Sequence, residues 1–167
     1  AIERRGMGCL NKIARRCEEA WWPKARHGLA KHSPPFVGGA FVLSLMPFLK
    51  EPVLVGFTTG RPGLEAESLS DEETVERFLE GLRACFDVSI PDPVATRVTR
   101  WGSDPFAQGS YSHIPLGASG EDRDALGRDV EGRLWFAGEA VSRDNPATVH
   151  GAYMTGRKAA KRIRKSL

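Results

Sequence analysis

The amino-acid sequence predicts an α+β fold in which a region of strands and one helix is followed by a strand–loop–helix unit. Two short runs of branched and aromatic residues, 41–45 and 53–58, predict adjacent strands joined by a turn at 50–52. Apolar residues at helical spacing over 71–85 predict an amphipathic helix. The apolar run 134–137, followed by a helix rich in small residues, predicts the edge of a nucleotide-binding fold.

The predicted helix over 71–85 has a start signal of its own. Ser70 and Glu73 form a capping box, in which each side chain accepts a hydrogen bond from the other residue's backbone N–H. The prolines at 91 and 93 end this region, and the Val- and Thr-rich run 94–101 predicts a further strand. The apolar face of the helix consists of Val75, Phe78, Leu79, Leu82 and Phe86.

The remaining segments predict loops and one C-terminal helix. Gly, Ser, Asp and Pro are frequent in 60–68 and 102–132, which predicts loops there. Asn145 followed by Pro146 predicts a helix that begins with an N-cap and a proline in its first turn. The predicted inner face of that helix consists of Val149, Ala152, Gly156, Ala159 and Ile163.

Composition and charge narrow the class of protein. The chain has 167 residues, 41% of them hydrophobic, a balance that is ordinary for a globular protein. Its apolar runs are too short to cross a bilayer and no secretory leader opens it, so we expect no membrane partner. Three irregularly spaced cysteines predict reduced thiols in an intracellular protein. Six of the nine residues in 157–165 are Lys or Arg, which we interpret as a solvated helix end rather than a nucleic-acid surface.

No metal site or catalytic triad is expected. His113 and His150 have no partners at the spacing of metal ligands or of a triad. Asp122 and Asp124 lie in a predicted loop without further ligands nearby in the sequence. We therefore interpret both histidines as structural.

The most informative segment is 133–156, RLWFAGEAVSRDNPATVHGAYMTG. The predicted strand presents Glu139 at its C-terminal end, and the helix that follows has Thr148 in its first turn. Strand ends and helix N-termini hold cofactors because unpaired backbone N–H groups point outward there. Taken alone, the pattern favours a strand–turn–helix with an exposed glutamate over a cofactor site.

The segment resembles the C-terminal flavin-binding motif of the flavin-dependent amine oxidases, which include monoamine oxidases, polyamine oxidases and lysine-specific histone demethylases. The resemblance implies that Gly138 and Glu139 lie against FAD, with the glutamate binding the ribityl chain. It also implies that the helix start at Ala147, Thr148 and Val149 meets the pyrimidine side of the isoalloxazine ring.

A second segment, 100–124, reads RWGSDPFAQGSYSHIPLGASGEDRD. Without the resemblance, Trp101 and Tyr111 would be interpreted as core aromatic residues. The resemblance implies instead that Trp101 and Ser110 lie against the flavin and that Tyr111 forms one wall of the amine site. An aromatic wall suits an amine because its π face attracts the protonated form. Phe106 stands where the demethylases commonly carry tryptophan.

The third segment is GMGCLNK at 6–12. It resembles the family segment that contains a lysine holding a water near flavin N5, and Lys12 is the corresponding residue. A lone lysine in a basic stretch would otherwise be interpreted as a solvated side chain. The family usually continues with an apolar strand, whereas this chain has Ala14, Arg15 and Arg16.

The resemblance extends over nearly the whole chain and implies two portions. Residues 1–100 would belong to the substrate-binding domain, and residues 101–167 to the C-terminal part of the Rossmann-like FAD-binding domain. No G-x-G-x-x-G fingerprint follows a predicted strand. We therefore expect the N-terminal FAD-binding half to be a separate part of the parent enzyme. We also expect this chain alone to be inactive and to retain no FAD.

The resemblance implies a parent enzyme that oxidises a carbon–nitrogen bond, passes hydride to FAD and produces hydrogen peroxide. The stretches GASGEDRD and PATVHGA are closer to histone demethylases than to polyamine oxidases. Methylated lysine on a histone tail is therefore the favoured substrate, with a nuclear location favoured over a cytoplasmic one. A polyamine substrate is the second candidate, and a non-catalytic interaction domain is the third.

Overall fold

The computed structural model describes residues 4, 6–23, 29–30, 41–86 and 88–166. The chain forms two compact units. We call residues 9–110 the sheet unit, and residues 1–8 together with 111–167 the terminal unit.

The sheet unit is built on an antiparallel sheet of five strands among the described residues: β2 (Leu10–Arg16), β3 (Leu29–Ala30), β4 (Val42–Ser44), β5 (Val53–Thr59) and β6 (Ala95–Val98). Their order across the sheet is β3-β4-β5-β2-β6. The longest ladder joins β2 to β5, with Lys12 opposite Phe57 and Ile13 opposite Gly56.

The two predicted strands at 41–45 and 53–58 are confirmed as β4 and β5, which pair with Val42 opposite Gly56. The connection between them is longer in structure than the predicted turn, because it contains a short helix, α1 (Met46–Leu49). The predicted strand at 94–101 is present as β6 but covers only Ala95–Val98.

The predicted amphipathic helix is confirmed as α3 (Asp71–Cys85). Its capping box is also confirmed, since the Ser70 Oγ accepts from the Glu73 N–H and the Glu73 carboxylate accepts from the Ser70 N–H. The helix packs its apolar face on the sheet and closes the core of the unit. That core consists of Ile13, Cys17, Trp22, Val42, Leu54, Phe78, Leu79 and Leu82.

The predicted loop at 60–68 is wrong, because Gly60–Ala66 forms a helix, α2. Its three glycine and proline residues argued for a loop in the sequence. In the structure Gly63 is buried, and a side chain there would lie 3.3 Å from the carbonyl oxygens of Cys9 and Thr58. Close packing on the sheet therefore explains why a weak helix former occupies this helix.

The terminal unit contains a two-stranded ribbon and two helices among its described residues. In the ribbon, β1 (Gly6–Gly8) pairs antiparallel with β7 (Tyr111–His113). Helix α4 (Gly120–Leu126) starts at a capping box formed by Ser119 and Asp122. The stretch 102–132 is mostly loop, as predicted, and the strand β7 and the helix α4 are the two regular elements within it. Helix α5 covers Val149–Ser166.

The predicted buried strand at 134–137 is also wrong. Leu134 makes only an isolated bridge with Val130 and is 54% exposed. A strand requires a neighbour for its backbone hydrogen bonds, and none of the described strands pairs with this run. Glu139–Val141 then forms a single turn of 3₁₀ helix.

Helix α5 begins later than predicted. Its first turn is capped by Thr148, whose Oγ1 accepts from the Gly151 N–H at 3.0 Å, and not by Asn145. Ala147, between Pro146 and the helix, has φ of +57° and so lies outside it. The predicted inner face is only partly correct, because Val149 is 88% exposed whereas Ala152, Gly156 and Ala159 are half-buried.

Among the described residues, every helix is too short or too polar to span a membrane. Cys9 and Cys17 are buried free thiols.

Candidate functional site

Lys12 lies in the middle of β2, on the sheet face opposite α3. Neighbouring strand residues alternate between faces, and Ile13 packs under α3, so Lys12 projects to the other side. There its ammonium group lies 5.7 Å from the centre of the Phe57 ring, which stacks on Phe41 at 4.3 Å.

The departure from the family pattern noted after Lys12 does not break the strand, because Arg15 and Arg16 continue the ladder to β5. Arg15 is instead fully buried under Trp21.

The two residues that precede Lys12 hold both ends of the segment 101–110. The Asn11 Oδ1 accepts from the Trp101 N–H at 2.9 Å, and the Leu10 N–H donates to the Ser110 Oγ at 2.8 Å. The Lys12 carbonyl in turn accepts from the Thr99 N–H at 3.0 Å. The sequence assigned three residues from distant positions to the flavin site. One short stretch of β2 thus anchors all three: Lys12, Trp101 and Ser110.

Trp101 is 40% exposed, and its backbone N–H is held by Asn11. Phe106 is 97% exposed and lies in a turn stabilised by the Asp104 carboxylate, which accepts from the Phe106 and Ala107 N–H groups. A flavin contact by Trp101 or by Phe106 stays a prediction.

Glu139 is the centre of a hydrogen-bond cluster in the terminal unit. Its Oε1 accepts from the Ser112 N–H at 2.9 Å, and its Oε2 accepts from the Ser112 hydroxyl at 2.8 Å and from the Ala147 N–H at 2.7 Å. The buried Arg123 donates to the same hydroxyl at 3.1 Å. Glu139 therefore joins β7 to the residues that lead into α5.

The carboxylate of Glu139 is ionised. Burial alone would raise its pKa, but the hydrogen bonds from Ser112 and Ala147 and the charge of Arg123 outweigh burial. The pKa of Glu139 therefore lies below the ordinary glutamate value. Each carboxylate oxygen has two lone pairs, so Oε1 retains acceptor capacity for one further donor, such as a sugar-alcohol hydroxyl.

The start of α5 presents backbone donors. Val149 and His150 have N–H groups without an acceptor among the described residues, as expected in the first turn of a helix. Thr148 uses its hydroxyl internally, because it also donates to the Asn145 carbonyl at 2.8 Å. Gly138 has φ of +132°, a conformation that favours glycine, and its N–H donates to the Thr155 hydroxyl at 3.0 Å.

Tyr111, the predicted wall of the amine site, lies in β7 directly before Ser112 and is 40% exposed. It pairs with Gly8 in β1. The neighbouring His113 is exposed, while His150 lies 3.0 Å from the Asn145 Oδ1 through its Nε2.

Asp122 and Asp124 both have protein partners. Asp122 accepts from the Ser119 N–H and lies 3.4 Å from Arg4, while Asp124 pairs with Arg143. Over the described part of the chain, no cluster of His, Cys, Asp and Glu is able to hold a metal ion.

The predicted site residues thus form two groups, each within one unit. The sheet unit contains Lys12, Trp101 and Ser110. The terminal unit contains Tyr111, Gly138, Glu139, Ala147, Thr148 and Val149. Sequence reasoning missed three polar residues that hold the members of each group in place. These are Asn11 and Glu67 in the sheet unit and Ser112 in the terminal unit. Asn11 stands next to Lys12 in the quoted motif and offered a signal, whereas Glu67 lies within the segment 60–68 that was predicted to be a loop.

Comparison with known proteins identifies the family. The family model described as flavin containing amine oxidoreductase matches residues 1–164. The chain belongs to this family.

The family includes relatives of known name at substantial identity. The chain is 38% identical to Protein FLOWERING LOCUS D of Arabidopsis thaliana over 99% of its length, and covers 22% of that protein. It is 40% identical to lysine-specific histone demethylase 1 homolog 1 of Oryza sativa subsp. japonica over 98% of its length, and covers 20% of that protein. The chain therefore spans about a fifth of the length of these relatives.

Solved structures agree on the fold. Putrescine oxidase bound to putrescine matches 97% of this chain with a TM-score of 0.77 and 22% identity, over 36% of its own length. Cyclohexylamine oxidase from Brevibacterium oxydans matches 98% of this chain with a TM-score of 0.73 and 23% identity, again over 36% of its length. The predicted α+β fold, as part of a flavin amine oxidase, is confirmed by these matches.

Proposed function

We propose that this chain is part of an FAD-dependent amine oxidase that removes methyl groups from methylated lysine on a histone tail. The observation that carries the proposal is the anchoring of Lys12, Trp101 and Ser110 to consecutive residues of β2, at positions where the family places flavin contacts. The substrate class rests on the identity of 38–40% to plant lysine-specific histone demethylase homologues. A nuclear location and a role in chromatin regulation follow from the same substrate.

The residues present fit FAD. Glu139 is an ionised acceptor with spare capacity for a ribityl hydroxyl, and the first N–H groups of α5 can stabilise negative charge on the ring. Trp101 and Ser110 offer an aromatic face and a hydroxyl within the sheet unit. The chemistry that FAD supplies when bound is the acceptance of hydride from a carbon–nitrogen bond and its delivery to oxygen, which yields hydrogen peroxide.

The protein's own contribution is binding and charge. The Lys12 ammonium stands over an aromatic pair, which fixes a positive charge on that sheet face and allows it to hold a water molecule. The exposed ring of Tyr111 offers a π face to a protonated amine and excludes water from one side of it. The role of orienting the amine is thus assigned to Tyr111, and the role of holding and polarising a water molecule is assigned to Lys12.

A polyamine is the second candidate substrate, and the fold-level likeness to putrescine oxidase favours it. A non-catalytic interaction domain is the third candidate. We further propose that the remaining contacts to FAD come from the N-terminal FAD-binding half of the parent enzyme. The chain alone would then neither retain FAD nor turn over an amine.

The test is an assay of the full-length protein with three substrates: a histone peptide carrying dimethyl-lysine, the matched trimethyl-lysine peptide, and spermine. We expect the dimethyl peptide to bleach the flavin absorbance and to yield formaldehyde and hydrogen peroxide. The trimethyl peptide is the control, because its quaternary nitrogen has no lone pair with which to form an imine. Oxidation of spermine alone would replace the proposal with the polyamine reading, and a flavin-free inert protein would favour the interaction domain.

A further inference from the structure

The segment 101–110 is closed by hydrogen bonds of its own, and its two ends are held where they meet the sheet. The Gly109 N–H donates to the Trp101 carbonyl at 2.7 Å, which closes the segment on itself. Inside this loop the Asp104 carboxylate accepts from two backbone N–H groups. A shift of the segment's first residues would therefore carry the whole loop, and the indole of Trp101 with it.

The carboxylate of Glu67, at the end of α2, lies at that root. Its Oε1 accepts from the Gly102 N–H at 2.6 Å and from the Asn11 Nδ2 at 2.7 Å, and its Oε2 accepts from the Ser103 N–H at 2.6 Å. We propose that Glu67, acting through Asn11, is a positioning residue that sets the pose of Trp101 against the flavin. This inference rests on the proposed function.

Glu67 fixes which way the Asn11 amide points. A carboxylate only accepts hydrogen bonds, so the Nδ2 of Asn11 must face Glu67 and the Oδ1 must face the Trp101 N–H. The reverse orientation would set two donors against each other at Trp101 and two acceptors against each other at Glu67. The Thr99 hydroxyl also donates to the same Oδ1, at 3.3 Å, which supports this orientation.

The backbone leaves space for the carboxylate only because residue 102 is glycine. A Cβ at Gly102 would lie 2.7 Å from Oε1 and 2.8 Å from Oε2 of Glu67. The carboxylate is ionised, because hydrogen bonds from Asn11, Gly102, Ser103 and Cys9 outweigh the effect of burial and hold the pKa of Glu67 below its ordinary value. Charge-assisted bonds are stronger than neutral ones, so the carboxylate holds Gly102 and Ser103 more firmly than a neutral acceptor would.

The test uses the full-length protein with FAD bound and compares Glu67→Ala with Glu65→Ala. Glu65 is the matched control because it lies two residues away in α2, carries the same charge and, over the described part of the chain, pairs with the exposed Arg61 alone. We expect Glu67→Ala to slow flavin reduction per bound FAD by about ten- to a hundredfold, as displacement of a positioning group does. We expect Glu65→Ala to stay within about twofold of the wild type, as for a surface ion pair.

Two further readouts separate positioning from general destabilisation. In a double-mutant cycle, Glu67→Ala should add nothing to the rate loss of Trp101→Ala, because both act on the same indole. Amide hydrogen exchange should show lost protection over 101–110 in Glu67→Ala and not in Glu65→Ala. If Glu67→Ala does not fold, Glu67→Gln replaces it, since its amide oxygen keeps one acceptor and should give an intermediate rate.

The outcomes for this inference and for the proposed function are distinguishable. If the wild-type protein binds FAD but no amine reduces it, the proposed function fails. The inference is then decided by the visible circular dichroism of bound FAD, which Glu67→Ala should alter and Glu65→Ala should not. Unchanged dichroism and exchange, wild-type reduction rates, or rate losses that add to those of Trp101→Ala would each overturn the inference. A wild-type protein that binds no FAD would overturn both.

Discussion

Replacing Glu139 should lower both the affinity for FAD and the free energy of unfolding of the terminal unit. The size of the effect follows from the three hydrogen bonds that Glu139 accepts. Ser112 is buried, so its N–H and hydroxyl lose their acceptor without compensation from water, whereas Ala147 is exposed and its N–H turns to solvent. Loss of hydrogen bonds to a charged acceptor costs about 1.5–3 kcal/mol each. The two bonds from Ser112 dominate, so we expect Glu139→Ala to lower the free energy of unfolding by roughly 3–6 kcal/mol.

Glu139→Gln should do less harm, because its amide oxygen still accepts from the Ser112 N–H while its NH₂ group replaces the second oxygen. In the full-length protein we expect the FAD dissociation constant to rise about ten- to a hundredfold for alanine and less for glutamine. Asp144→Ala is the matched control, since it removes an exposed carboxylate of the same unit. FAD titration and thermal unfolding of the apo-protein measure the two effects.

The same carboxylate predicts a pH dependence. The folded pKa of Glu139 is lowered, so its contribution to stability is present above the unfolded value of about 4.3 and is lost as the pH falls through the folded pKa. The stability difference between wild type and Glu139→Gln should therefore shrink below about pH 4. Equal FAD affinities for alanine and glutamine, or a harmless alanine, would refute the reasoning.

Four further predictions follow. Lys12→Ala should slow flavin reduction or reoxidation roughly tenfold or more while leaving FAD affinity nearly unchanged, and stopped-flow rates equal to wild type in both half-reactions would refute this. Thr148→Ala should cost about 0.5–2 kcal/mol of stability through the lost cap, whereas Thr148→Pro should also reduce FAD affinity, and equal FAD titrations at intact folding would contradict the helix-terminus contact. The 167-residue chain purified alone should show no stoichiometric flavin spectrum, so a yellow protein would be the contrary result. Arg15→Leu should leave the free energy of unfolding unchanged or raise it by about 1–2 kcal/mol, because it removes a buried charge whose Nε and Nη1 have no partner among the described residues, and a lower urea midpoint would contradict this.

The elements predicted correctly are those whose signals are local. Helix α3 carries its cap and its apolar face within 16 residues of sequence, from Ser70 to Cys85, and no distant residue is needed to recognise it. The strand pair β4 and β5 is recognisable for the same reason, because its partners are close in sequence.

The errors arise where distant residues decide the structure. The run 134–137 has the composition of a buried strand, but composition does not supply a neighbouring strand. Helix α2 was missed because the glycine that weakens its helix propensity is required by packing on the sheet. The cap at Thr148 displaced the predicted one because Ala147 adopts a left-handed conformation that the sequence did not indicate.

The candidate site shows the same contrast between residues with local sequence signals and residues placed by distant contacts. Lys12, Trp101 and Glu139 were recognisable from motifs, and their assignment to FAD stays a prediction. The residues that hold them were not recognisable, since Asn11 meets Glu67 across 56 positions of sequence and Glu139 meets Ser112 across 27. The domain assignment of 1–100 and 101–167 also stays a prediction, although the compact units divide at 110 and 111 and place residues 1–8 with the second.

The position of Cys9 has a consequence for chemical durability. Burial and the hydrogen bond to Glu67 raise its pKa to about 11, so at pH 7 only about one thiol in ten thousand is deprotonated. Peroxide attacks the thiolate rather than the thiol. If the parent enzyme releases hydrogen peroxide as proposed, a reactive thiol two residues from Asn11 would accumulate oxidised forms with every cycle. Under that proposal, burial and the Glu67 carboxylate together keep Cys9 in the protonated form that reacts slowly with peroxide.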